Sequence, residues 1–167
     1  AKDESICRRI RAMPNHKSQT RYAGWAVTLA QLAVLVLPAP VVQACTVTIH
    51  VDGFRNTKGV LGGALFKNKT GWPEGDSQAF VRNATPVPAN SEAVLSFADV
   101  PAGRYAVVVL HDENANHRLD RNILRVPKEG FGFANNPHIG LSAPSWEDSS
   151  VQVTCPSTEV HIHLIYK

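Results

Sequence analysis

The chain lacks an excess of charge of either sign once its first 44 residues are set aside. Lys2, Arg8, Arg9, Arg11, Lys17 and Arg21 stand against Asp3 and Glu4 in that stretch, which leaves 11 basic and 12 acidic residues in 45–167. A near-neutral domain has no basic stripe with which to release counterions from phosphates, so a nucleic-acid partner has no electrostatic support. Helical periodicity is missing as well. No run of ten residues after Ala44 keeps a 3.6-residue apolar period free of Gly and Pro, which argues against a helical domain. Catalytic motifs are also absent: there is no Gly-x-Ser-x-Gly elbow, no His-Glu-x-x-His and no phosphate-cradling glycine loop. His111 beside Asp112 does not make a dyad, because neighbours on a strand point to opposite faces. The chain therefore reads as a non-enzyme, with a hydrolase as the weaker alternative.

Cysteine and methionine are scarce, and both are informative. The one methionine is Met13, and a start there would give a leader whose basic region is Lys17 and Arg21. Tyr22–Ala44 carries no charge and has an apolar core from Trp25 to Leu37, after which Pro38 and Pro40 break any helix. Val42-Gln43-Ala44 has the modest side chains that signal peptidase requires, so residues 1–44 read as a leader with a signal peptide, cleaved before Cys45. An uncleaved membrane anchor is the alternative, although the core is shorter than the ~20 residues a spanning helix needs. The expected location is the periplasm or the exterior.

Removal of the leader takes Cys7 with it and leaves Cys45 and Cys155. A bridge between them suits an oxidising compartment. It would close a long loop, worth roughly 4–5 kcal/mol in the chain-entropy model. Val42-Gln43-Ala44-Cys45 also loosely resembles a lipoprotein cleavage site, in which Cys45 would be lipidated and hold the protein at a membrane.

Strand signals fill the remainder. Val47, Ile49 and Val51 alternate with Thr46, Thr48 and His50 up to the turn at Asp52-Gly53. Gly59–Phe66 follows, with Gly62 and Gly63 marking a bulge or a close backbone approach. Ala79–Asn83, Glu92–Phe97, Arg104–His111, Val151–Thr154 and Val160–Tyr166 are further candidates, and Tyr105–Leu110 is apolar throughout, as in a strand covered on both sides. The expectation is all-β: one antiparallel β-sandwich of about seven strands over residues 45–167. Asp112–Ser149 has little strand character and is too long for an ordinary connection, and long ordered loops usually carry function.

Phe97-Ala98-Asp99-Val100-Pro101-Ala102-Gly103-Arg104-Tyr105 resembles the turn-and-strand signature of transthyretin-like and carboxypeptidase-regulatory-like sandwiches. His111-Asp112-Glu113-Asn114, Leu119-Asp120, and Pro127-Lys128-Glu129-Gly130-Phe131-Gly132-Phe133 with Asn135-Asn136 resemble the bacterial family called domain of unknown function 2141. That resemblance runs from Cys45 to Lys167 and implies a secreted or periplasmic sandwich, but it carries over no substrate and no catalytic residue. The family's acidic loop commonly has glycine where His117 stands, a departure that weakens a metal reading.

Three sites are candidates. Asp112, Asn114, Asn116 and Asp120 place hard oxygens at alternate positions, as a calcium loop does. His117 replaces the expected glycine and Ile123 the last carboxylate, and the same residues also serve as turn formers that bond their own backbone. His50, His161 and His163 would share a face if the first and last strands are neighbours, and could hold zinc or copper or simply form a polar row. Lys128, Glu129, Phe131, Phe133, Asn135, Asn136, His138 and Trp146 mix aromatic platforms with amides as glycan and peptide sites do, or else pin the long loop. The function expected is that of a binding or accessory module of the cell envelope. Its loop 112–148 would meet a protein or glycan partner, with calcium as the one cofactor considered and surface-histidine metal binding as the alternative.

Overall fold

A computed structural model describes residues 44–140 and 142–167. Residues 1–43 of the expected leader, with Met13, Val42 and Gln43, lie outside the described residues, and Ala44 opens the first strand. Among the described residues no helix is long and apolar enough to cross a membrane. The strands are β1 Ala44–Asp52, β2 Val60–Phe66, β3 Val81–Pro86, β4 Ala93–Pro101, β5 Gly103–Asp112, β6 Gly130–Phe133, β7 Ser150–Val153 and β8 Ser157–His163. One sheet has the order β4-β1-β8, and the other has the order β3-β2-β5-β6, with β7 also paired to β5. β6 and β7 flank β5 end to end, β6 along Val108–His111 and β7 along Gly103–Ala106.

The alternation of β1 places Val47, Ile49 and Val51 inside, where Leu95 and Phe97 of β4 and Val160 and Ile162 of β8 join them. The facing sheet contributes Leu61, Leu65, Tyr105, Val107 and Val109, so the inner faces of two sheets enclose one core. Tyr105 is buried to the end of its ring, and its hydroxyl donates to the Pro101 carbonyl at 3.1 Å, which satisfies a polar group that water cannot reach. A disulfide joins Cys45 to Cys155, 110 residues apart. The Cys45 sulfur is thereby engaged, and it is not free to carry the lipid considered from the sequence.

The structure departs from the sequence expectation in three places. β1 and β8 run parallel, with Thr46 opposite Ser157 and Asp52 opposite His163, so the sandwich is not wholly antiparallel. The chain enters β1 and β8 from the same end, where the disulfide lies one residue past the start of β1 and two before β8. Gly62 and Gly63 make no bulge, since β2 keeps continuous register with both neighbours; the irregularity lies in β1, between Cys45 and Val47. β6 was hidden inside the long loop because two of its four residues are glycine. Space requires them: a Cβ on Gly130 would sit 2.5 Å from the Tyr166 ring, and one on Gly132 2.5 Å from Ile162 Cγ2. Low strand propensity here is the consequence of tight packing against β8 and the segment that follows it.

Candidate functional site

The second sheet has an outer face that is apolar where a sandwich surface is usually polar. Pairing of β3, β2, β5 and β6 aligns Ala84, Gly62, Leu110 and Phe131 in one cross-strand row and Arg82, Ala64, Val108 and Phe133 in the next. The side chains grow along each row from almost nothing at Gly62 and Ala64 to full rings at Phe131 and Phe133. A sheet face built this way is a floor with a raised aromatic side.

The long loop arches over this floor without filling it. Leu119, Leu124, Val126 and Pro127 come from the loop, and they enclose with the floor a cleft of about 1110 Å³. That is at the large end for a small-molecule site. Gly62 has open space above it, because a Cβ there would meet nothing nearer than the Leu110 carbonyl at 3.9 Å. Behind the aromatic side, Phe66, Trp72 and Phe133 stack edge to face or tilted at 5.3 and 5.6 Å, and Phe131 meets Phe133 at 6.0 Å. Trp72 is a residue that sequence reasoning passed over, since it stands among Gly71, Pro73 and Gly75 in what reads only as a loop. Its indole N–H donates to the Pro144 carbonyl at 3.0 Å and so ties two loops together beside the cleft.

Cations dominate the mouth. Arg82, Arg118, Arg121, Arg125 and Lys167 line it against Glu74 and Asp112. Arg121 pairs with Glu74, and Lys167 donates to the Ile139 and Gly140 carbonyls. Among the described residues, the guanidinium groups of Arg118 and Arg125 have no carboxylate within ion-pair distance. Residues 121–127 form a small hairpin, closed by Asn122 and Val126 and braced by Arg121 to the Arg125 carbonyl. Its tip exposes Ile123 completely and Leu124 by 81%.

The alternate oxygens after β5 are brought together, and they bond chiefly to one another and to backbone. Asp112 is buried, and its two oxygens accept the Asn116 and His117 N–H groups at 3.1 and 2.6 Å. The amides of Asn114 and Asn116 donate to the two oxygens of Asp120 at 2.8 and 3.1 Å. Glu129, also buried, accepts the N–H groups of Glu113 and Asp120 and so closes the base of the loop. Burial holds its carboxyl above the usual carboxylate range, partly opposed by those two hydrogen bonds. These bonds tie the side chains of the loop to one another and to its own backbone.

Of the aromatic and amide surface, Phe131 and Phe133 reach the cleft, and the others have different work. Asn135 donates to the Asp148 and Ser150 carbonyls. Asn136 brackets β8, donating to the His161 carbonyl and accepting the His163 N–H. Trp146 donates to the Phe66 carbonyl at 2.9 Å with Arg104 over its ring, which makes it a loop pin. Lys128 presents its carbonyl to Arg55, and His138 is exposed. His111 faces inward between the Tyr166 hydroxyl at Nδ1 and the Lys58 carbonyl at Nε2. A carbonyl only accepts, so Nε2 carries the proton and Nδ1 accepts from Tyr166. His111 and Asp112 thus serve separate networks on opposite faces.

The histidines divide. His50 and His161 stack at 4.7 Å, whereas His163 bonds to Asp52, its neighbour across the parallel pair. Glu159 stands where His163 was expected.

No curated protein and no solved structure matches the chain. The family model described as an uncharacterized protein conserved in bacteria (DUF2141) matches residues 49–161, a span that begins inside β1, ends inside β8 and takes in the cleft with its loop. On that match, over more than half its length, the chain belongs to the DUF2141 family of bacteria.

Proposed function

We propose that this domain is an exported binding module whose ligand occupies the cleft between the five-stranded sheet and the loop after β5. The observation that carries this reading is the apolar outer face. Val60, Ala64, Val108 and Leu110 remain only partly covered although a long loop passes over them. Apolar surface left uncovered under an ordered loop is lost stabilisation unless something else covers it, at about 25 cal/mol per Å². The aliphatic floor and aromatic side suit an apolar body better than glycan hydroxyls, and the cationic mouth suits an anionic end. The ligand class is therefore a small amphipathic anion. Export is supported by the apolar leader and by the Cys45–Cys155 bridge, which persists in oxidising compartments.

The test uses 8-anilinonaphthalene-1-sulfonate, an aromatic body with one anionic group. The full chain is expected to bind it saturably, and Gly62→Leu, whose Cβ would meet nothing nearer than the Leu110 carbonyl at 3.9 Å, is expected to reduce binding about tenfold or more while the melting temperature holds. Arg118→Ala with Arg125→Ala is expected to weaken binding and reduce its salt dependence. Undiminished binding by Gly62→Leu in a folded protein overturns the assignment.

A further inference from the structure

The outer face of the three-stranded sheet carries a side-chain cluster remote from the cleft's sheet. β1 and β8 pair in register, with His50 opposite His161 and Thr48 opposite Glu159. Residues two apart on a strand share a face, so Glu159 and His161 project together beside His50. The two imidazoles are nearly parallel, 12° apart. His50 Nε2 lies 3.8 Å from Glu159 Oε2, and one donor atom from each of the three residues lies within 4.8 Å of the other two.

The second observation concerns His50 alone. Its Nε2 is closed off from solvent and has no hydrogen-bond partner. The contact to Glu159 is too long to be a hydrogen bond. Buried polar atoms are seldom left unsatisfied in native proteins, and one aimed at a carboxylate with a second imidazole alongside invites an occupant between them. Two neutral imidazoles and a carboxylate are the donor set of a borderline divalent transition metal.

We infer that His50, Glu159 and His161 form a site for zinc(II) or copper(II). Metal–nitrogen and metal–oxygen bonds of about 2.0–2.2 Å require donor atoms no more than about 4.4 Å apart. The present spacing closes to that by side-chain rotation, since Glu159 and His161 are exposed and free to turn while the half-buried His50 anchors the site. The solvent side leaves a fourth position for water or a ligand. His163 is not a member, because its ring is held by Asp52 and its backbone N–H by Asn136. The site differs in this respect from the three-histidine set that spacing along the chain suggests. It is independent of the cleft, and either can fail without the other.

Calorimetric titration of the full chain with zinc chloride, without a polyhistidine tag and with the disulfide intact, tests the assignment. One equivalent is expected to bind. His50→Ala with His161→Ala is expected to weaken binding about 100-fold or more and Glu159→Gln about tenfold, since loss of even an outer-shell partner of a metal ligand costs about 10–100-fold. His163→Ala is expected to bind as the parent does. Cys7 is present in every variant, so a loss specific to the two histidines cannot arise from it. Histidine ring resonances should shift on zinc addition at positions 50 and 161 and stay in place at 163. Absence of saturable binding, equal binding by the double variant, or a loss in His163→Ala as large as in the double variant overturns the inference. A melting temperature unchanged in each metal-free variant keeps misfolding out of the comparison.

Discussion

Gly62 and Gly63 are adjacent on β2, and replacing each by alanine sets the two faces of one strand against each other. Both substitutions remove the entropy penalty of a strand glycine, which stabilises by about 0.5–1 kcal/mol. Their surroundings differ. A methyl at 62 points into the open cleft and meets only the Leu110 carbonyl at 3.9 Å, whereas a methyl at 63 lies 2.7 Å from Leu95 Cδ1, 3.5 Å from Phe97 Cζ and 3.6 Å from Val109 Cγ1. Forcing a methyl into a filled core costs about 1–3 kcal/mol. The entropy term is common to both and cancels in the comparison, so Gly62→Ala should exceed Gly63→Ala in stability by about 1–3 kcal/mol. At about 3–6 °C per kcal/mol for a domain of this size, the melting temperatures should separate by roughly 3–18 °C, with Gly62→Ala at or above the parent. Thermal unfolding by circular dichroism with the disulfide intact measures the gap, and urea unfolding at fixed temperature gives it as a free energy. Equal melting temperatures, or a larger loss at Gly62, would mean that β2 does not present these faces, and the cleft floor would fall with it.

Replacing Cys45 and Cys155 together by serine should lower the stability of the fold by about 4–5 kcal/mol in the chain-entropy model for so long a loop, read from urea midpoints. Burial raises the hydroxyls of Tyr105 and Tyr166 above the ordinary 10.0, so the native state holds their protons longer than the unfolded chain does. Their contribution is full below pH 10.0 and is lost as pH rises through the higher folded values. Absorbance at 295 nm should show one late-ionising phenol fewer in Tyr166→Phe, which should also lose about 1–3 kcal/mol because His111 Nδ1 is left without its donor. Because the oxygens of Asp112, Asp120 and Glu129 already accept N–H groups, millimolar calcium should move the melting temperature by less than about a degree relative to EDTA. Asp112→Ala should destabilise by about 1–3 kcal/mol in either medium. A calcium-dependent rise of several degrees that disappears in that variant would instead make the loop a cation site.

Much of the fold was legible because its signals are local. Alternation in Thr46–Val51 let β1 be read with its faces, and the apolar run Tyr105–Leu110 marked β5 as a strand, although its outer side chains Val108 and Leu110 are only partly covered and not buried on both sides as the run suggested. The turn at Asp52-Gly53 and the pair of cysteines belong to the same class. β6 could not be read, because Gly130 and Gly132 are set by the nearness of Tyr166 and Ile162, which lie far along the chain. Phe131 and Phe133 were picked out by their aromatic character. Asn135 and Asn136 were read with the two phenylalanines as ligand-binding, and their hydrogen bonds to Asp148, Ser150, His161 and His163 tie segments of the fold together; Trp146 pins the loop, as one of its two sequence readings had it. Trp72 was overlooked because glycine and proline neighbours conceal its role.

Residue order by itself determined an all-β chain, the inward face of its first strand, a near-neutral composition over residues 45–167, and a cysteine pair able to close the sandwich. These follow from periodicity and composition, which act over a few residues. Tertiary structure decided that β1 and β8 run parallel, that Glu159 rather than His163 joins His50 and His161, and that two rows of side chains from four strands become the floor of a cleft. Each of these is a matter of register between segments distant in sequence, and register is set by the packing of the whole sandwich, which no local pattern encodes.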